Sequence, residues 1–169
     1  MTRRSTSISK RAAVVTVTAA LALGTVGTVA ATAGTKDGSG KPSKAQIAGL
    51  FDQWNRSLQT GDPEKVADLY AKDAVLLPTV SNKVRTDHAG IVDYFEHFLQ
   101  NKPVGKKIQT IVNVLDRNSA IDTGVYEFTL TDPDTGAKST VEARYTYEYE
   151  KRGGKWLIVN HHSSKMPEG

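Results

Sequence analysis

The chain has 169 residues, 22 Lys+Arg against 18 Asp+Glu, and no cysteine. The absence of cysteine excludes disulfides, thiolate metal sites, a cysteine nucleophile and a lipid-anchored N-terminus. The basic excess sits in Arg3, Arg4, Lys10 and Arg11, so residues 34–169 carry 18 charges of each sign. The sequence pI of about 9.2 is therefore no evidence for a nucleic-acid or anionic-membrane partner.

Residues 1–33 have the parts of a secretory signal peptide in order. Four cations come first, an uncharged stretch rich in Ala, Val, Leu and Thr follows, and Ala31-Thr32-Ala33 supplies the small residues that a signal peptidase reads. The uncharged run is long enough to be weighed as a membrane anchor. Thr16, Thr18, Gly24, Thr25, Gly27, Thr28 and Thr32 dilute it. Cleavage near Ala33 and a secreted domain with no membrane partner are the expectation. Arg3-Arg4 lacks the bulky apolar residues that should follow a twin-arginine pair. Residues 34–42 read as a flexible leader, and 43–169 as one domain with a single core.

Ser43 and Gln46 have capping-box spacing. Ile47, Leu50, Phe51, Trp54 and Leu58 then form one apolar helix face, and Gly61 ends the helix. Asp62-Pro63 opens a second, short helix whose buried side is Val66, Leu69 and Tyr70. Residues 74–77 read as a strand stopped by Pro78. Ser81-Asn82 turns the chain, and Val84-Arg85 pairs back. Thr86 is expected to cap a third helix carrying Ile91, Tyr94, Phe95, Phe98 and Leu99. Residues 107–115, 120–131, 138–151 and 155–163 are rich in β-branched and aromatic residues and are joined by hairpin-type turns. Helices followed by an antiparallel meander make an α+β layout.

The strand over 138–151 places Val141, Ala143, Tyr145, Tyr147 and Tyr149 on one side. The last strand has Trp156 and Ile158 on one side and Leu157 and Val159 on the other. Three helices cover one face of a sheet, so apolar residues on both faces predict self-association. A tyrosine-rich solvated face is the alternative.

His161 and His162 point to opposite faces of a strand, and His88 and His97 to opposite faces of a helix, so no metal site is expected. Alternation from Trp156 and Ile158 turns His162 inward, either as a satisfied core histidine or as a site residue. Arg144 sits mid-strand beside Glu142 and Thr146. It reads either as half of an ion pair or as an anion-reading group at the floor of a pocket, where a guanidinium matches a carboxylate. Asp122 and Glu142 are proton carriers if buried. Residues 34–169 contain no G-x-S-x-G, no S-x-x-K and no Gly-rich phosphate loop, and no cofactor is expected. The sequon Asn55-Arg56-Ser57 falls inside a helix and is discounted.

Trp54 followed by Gly61-Asp62 and the short helix resembles the start of the NTF2-like, SnoaL-like superfamily. Glu142-Ala143-Arg144, residues 154–159 and His162 resemble the association (hub) domain of calcium/calmodulin-dependent protein kinase II and its bacterial stand-alone relatives named after SgcJ and EcaC. In those relatives Leu77-Pro78-Thr79, Asp93-Tyr94-Phe95 and His161-His162-Ser163-Ser164 recur. The resemblance spans about residues 45–168. It implies a cone, with a curved antiparallel sheet wrapped on three helices around a pocket, and dimers or larger rings formed through the sheet's outer face. Hub domains have a pocket whose arginines accept carboxylates. Arg144 falls at one arginine position, Tyr126 replaces a second, and Ser163 follows His162 where the hub has Arg. The oxidoreductase label of SgcJ-type relatives finds no redox cofactor site here.

Three functions follow from the resemblance. One is a pocket that binds a small, carboxylate-type ligand through Trp54, Tyr70, Arg85, Phe95, Tyr126, Arg144 and His162. Another is an isomerase or cyclase in which His162 or Tyr126 moves protons. The last is a purely structural homodimer or ring.

Overall fold

Ser43 starts the first helix through the reciprocal bonds its spacing predicts. Its hydroxyl accepts the Gln46 backbone N–H at 3.1 Å, and its own N–H donates to the Gln46 carboxamide at 2.8 Å. A computed structural model describes residues 40–167. The segment expected to be a signal peptide and most of the expected leader lie outside the described residues. Helix α1, Lys44–Leu58, buries Ile47, Phe51, Trp54 and Leu58. The chain leaves it through Gly61 at φ +70°, a left-handed conformation that glycine adopts without penalty. Asp62 accepts the Glu64 and Lys65 N–H groups to start α2, Pro63–Ala67. Helix α3, His88–Phe98, starts one residue later than expected. Its cap is Asp87, whose carboxylate accepts the Gly90 N–H at 2.7 Å, while Thr86 is exposed.

The strands are β1 Tyr70–Leu77, β2 Val104–Val114, β3 Ser119–Thr131, β4 Lys138–Arg152 and β5 Lys155–Lys165. They form one curved sheet in the order β1-β5-β4-β3-β2. β2 to β5 are the expected antiparallel meander. β1 departs from it and runs parallel to β5, because α3 and the whole meander intervene between them. Arg85 pairs back on Leu76 through two backbone bonds of 2.8 and 2.9 Å.

The helices pack on the face carrying Ala143, Tyr145, Tyr147 and Tyr149, all of which are buried. The tyrosine row is thus core, and the solvated-face alternative is excluded. Burying a large apolar side chain contributes about 1.5–3 kcal/mol, so this row and the α1 face are a main source of stability. The outer face of β4 carries Glu142, Arg144, Thr146, Glu148 and Glu150. Asn55 ties α1 to β2. Its amide donates to the Gly105 carbonyl and accepts the Gly105 N–H, both at 2.8 Å, which occupies the sequon asparagine.

Candidate functional site

The two histidines exchange places relative to simple alternation. Tyr149 pairs with Ile158 while Glu148 pairs with Asn160, so Val159 is one residue too many on β5. Such a bulge swaps the faces of every side chain beyond it. His161 is therefore the inward residue, 4% exposed and opposite Tyr147. His162 is exposed on the outer face, opposite Thr146. The inward placement of His162 is corrected accordingly.

Inside, three side chains form a directed chain of hydrogen bonds. The Trp54 indole can only donate, and its N–H meets the Tyr70 hydroxyl oxygen at 3.1 Å. Tyr70 then has its single proton for His161 Nδ1, at 2.8 Å. This assigns the His161 proton to Nε2, by donor counting. The ring also stacks on Tyr147, centroid to centroid 4.1 Å. Burial pushes the His161 pKa down to about 3, with a smaller lowering from His162, so the imidazole is neutral. Nε2 is buried and has no partner among the described residues.

His161 lines a cavity of about 50 Å³ between the sheet and the helices. Its walls are aromatic: Trp54, Phe95, Phe98, Tyr126 and Phe128. Three of its hydroxyls are linked. Tyr126 donates to Ser163, and Ser163 is bonded to Thr79. Burial raises the Tyr126 pKa well above the tyrosine range, which keeps the phenol protonated. Among the described residues, no Arg, Lys, Asp or Glu lines this cavity.

Trp54, Phe95 and Tyr126 line the cavity. Tyr70 sits behind His161 and orients it. Arg85 is buried but committed, donating to the Gly90 and Lys83 carbonyls, the Ser81 hydroxyl and the Asp93 carboxylate. It lines a separate surface cleft with Asp93 and His97. Arg144 is exposed on the outer face, where it shares a groove with Thr146 and His162. Its neighbours Ala143 and Tyr145 hold the inward positions, so strand alternation keeps it out of the cavity. The floor-of-pocket reading of Arg144 is corrected.

Asp122 is fully buried, opposite Val112 and Tyr147, and does not line the cavity. Tyr145 donates to its Oδ1 at 3.2 Å, and Oδ2 has no partner among the described residues. Burial pushes its pKa up to about 6. Glu142 is exposed. His161, Ser163 and Thr79 are the residues that sequence reasoning missed as site candidates. The first two depend on a bulge that periodicity does not reveal.

A curved five-stranded sheet over three helices, with a cavity between them, defines an α+β domain of the NTF2-like fold. The description of the calcium/calmodulin dependent protein kinase II association domain matches residues 43–167, and the chain belongs to that family. A Xanthomonas campestris structure described as such an association domain is similar at 59% identity and TM-score 0.74, over 76% of this chain and 91% of that one. The association domain of the Caenorhabditis elegans kinase shares the fold at 14% identity and TM-score 0.60, over 72% and 95% of the two chains. A Salmonella enterica protein of the nuclear transport factor 2-like superfamily does so at 17% identity and TM-score 0.64, over 73% and 91%. No curated protein sequence matches the chain.

Proposed function

We propose that this domain binds a small organic molecule in the cavity beside His161 and self-associates through the outer face of its sheet. The observation that carries the first part is the aromatic-walled cavity of about 50 Å³ that His161, Ser163 and Thr79 border. Among the described residues no cation lines the cavity, and a buried anion without one is strongly disfavoured, which favours a neutral ligand over a carboxylate. Self-association is supported by family membership and by outer-face apolar residues such as Ile111, 50% exposed.

Proton-transfer catalysis has less support. His162 is outside the cavity, His161 is too weak a base near neutral pH, and Tyr126 holds its proton. The domain is further proposed to act after export, with residues 1–33 removed. N-terminal sequencing of the secreted protein then begins at or near Gly34.

Native mass spectrometry of the purified protein, under gentle and then denaturing conditions, tests the whole reading. The expected result is an oligomer carrying extra small-molecule mass that denaturation releases. An empty oligomer would leave only the structural role, and an empty monomer would overturn both parts.

A further inference from the structure

We propose that the outer face of the sheet takes a second copy of this chain in one register, in which Arg144 of each copy binds Glu148 of the partner subunit across a two-fold axis at Thr146. The inference rests on the reading that the domain self-associates through this face.

The fold leaves both charges without a partner. Arg144 and Glu148 face outward from β4, four residues apart. A strand rises about 3.4 Å per residue, so the two are too distant to pair with each other. On the neighbouring strands Arg144 lies between Val125 and Ser164, and Glu148 between Ile121 and Asn160. None of these is charged. Neither Arg144 nor Glu148 forms an ion pair among the described residues. The Arg144 guanidinium, a fork of N–H donors suited to a carboxylate, reaches only the Lys165 carbonyl, at 3.5 Å. It lines an open groove with Thr146, His162 and Ser164, and among the described residues no acidic side chain lines that groove.

A symmetric dimer has to be complementary to itself, and the register of the sheet supplies that complementarity. Ile111, Thr123, Thr146 and His162 form one outward-facing row from β2 to β5. With the axis along this row and between the two sheets, rotation lays each strand antiparallel on its own copy. The outward-facing rows on either side then exchange. Arg144 meets the partner's Glu148, Ile121 meets the partner's Val125, and Gln109 meets the partner's Asn113. Charge meets opposite charge, apolar meets apolar and amide meets amide. On the axis each residue meets its own copy, and that row carries no permanent charge. An axis along β4 would instead set Arg144 on the partner's Arg144 and Glu148 on the partner's Glu148, and like charges held together oppose association. Glu142 and Glu150 lie one outward row further from the axis, where the twist of each sheet draws the faces apart.

Sedimentation equilibrium of the purified protein, of Arg144→Glu, of Glu148→Arg and of the double variant tests the register. Both side chains lie outside the core, and circular dichroism of each variant checks the fold. Each single reversal turns two attractions into two repulsions and is expected to weaken association at least about tenfold. The double variant restores opposite charges at both contacts and is expected to regain the parent's affinity. Rising NaCl concentration is expected to weaken association of the parent, because it screens the two attractions, and this measurement needs no variant. Single reversals without effect, a double variant as weak as the singles, or a parent that salt tightens would overturn the register and leave self-association standing. A parent that stays monomeric at every concentration overturns self-association with it.

Discussion

Tyr70 and His161 are 91 residues apart in the chain, and their polar atoms meet at 2.8 Å. Tyr70 begins β1, and His161 lies on β5 beyond the bulge at Val159. Without the bulge the ring would face outward and Tyr70 would have no acceptor. The contact therefore fixes the parity of β5, the tautomer of His161 and the polarity of the cavity together.

Tyr70→Phe is expected to destabilise the fold by about 2–4 kcal/mol, because it leaves two buried groups, Trp54 Nε1 and His161 Nδ1, without a partner. Tyr149→Phe is the control. Its hydroxyl is buried and unpartnered among the described residues, so its loss shifts stability by less than about 0.5 kcal/mol or raises it. Urea denaturation of the two variants side by side measures the contrast.

Two buried groups pull the pH dependence of stability in opposite directions. His161 falls from 6.5 to about 3 on folding. The unfolded chain binds that proton first, so stability drops as pH falls through this window. Asp122 rises from 3.8 to about 6. The folded chain binds that proton first, so the stability it adds below 3.8 is lost as pH rises through 6. Between about pH 4 and 6 the two slopes oppose, at up to about 1.4 kcal/mol per pH unit each. Asp122→Asn removes one of them. That variant should lose stability steeply as pH falls from about 6.5 to 4, where the parent is much flatter. Urea midpoints at four pH values across the window give the comparison.

Backbone crowding predicts a contrast between two glycines. A Cβ on Gly124 would lie 1.9 Å from the Gln109 carbonyl oxygen, where the β2–β3 register shifts between Lys107 and Gln109. Gly124→Ala should cost several kcal/mol or prevent folding. Gly49 lies within α1, and a Cβ there meets nothing within 4 Å. Gly49→Ala should add about 0.5–1 kcal/mol. Thermal melts of both report it.

The helices, the hairpins and the aromatic core were legible because each rests on local signals: the Ser43–Gln46 box, the Asp62-Pro63 start, and the period-2 tyrosines of β4. Trp54, Phe95 and Tyr126 followed from the same patterns and from resemblance. The histidine choice was not legible. A single inserted residue, Val159, reverses the parity that Trp156 and Ile158 establish, and nothing in local composition marks it. The position of Arg144 was available from alternation against Tyr145 and Tyr147, once those tyrosines are recognised as core. The commitment of Arg85 to Asp93 and Gly90 depends on tertiary placement.

Assembly through the outer face makes a separate prediction. A charge at Tyr147 would unfold the core, so it cannot probe the interface. Ile111 faces outward opposite Thr123 and is half-exposed. Ile111→Glu should lower the oligomeric state in light scattering without lowering the melting temperature of the dissociated chain. It should also leave any co-purified small-molecule mass unchanged, as should Arg144→Ala, since neither residue lines the cavity.

The most direct measurement is long-range ¹H–¹⁵N NMR of the His161 ring at pH 5 and pH 7. Its nitrogen shifts separate the Nε2–H form, the Nδ1–H form and the imidazolium. The Tyr70 contact and the burial of the ring predict a neutral ring protonated on Nε2 at both pH values. An imidazolium at pH 5, or a proton on Nδ1, would contradict the Trp54–Tyr70–His161 hydrogen-bond arrangement.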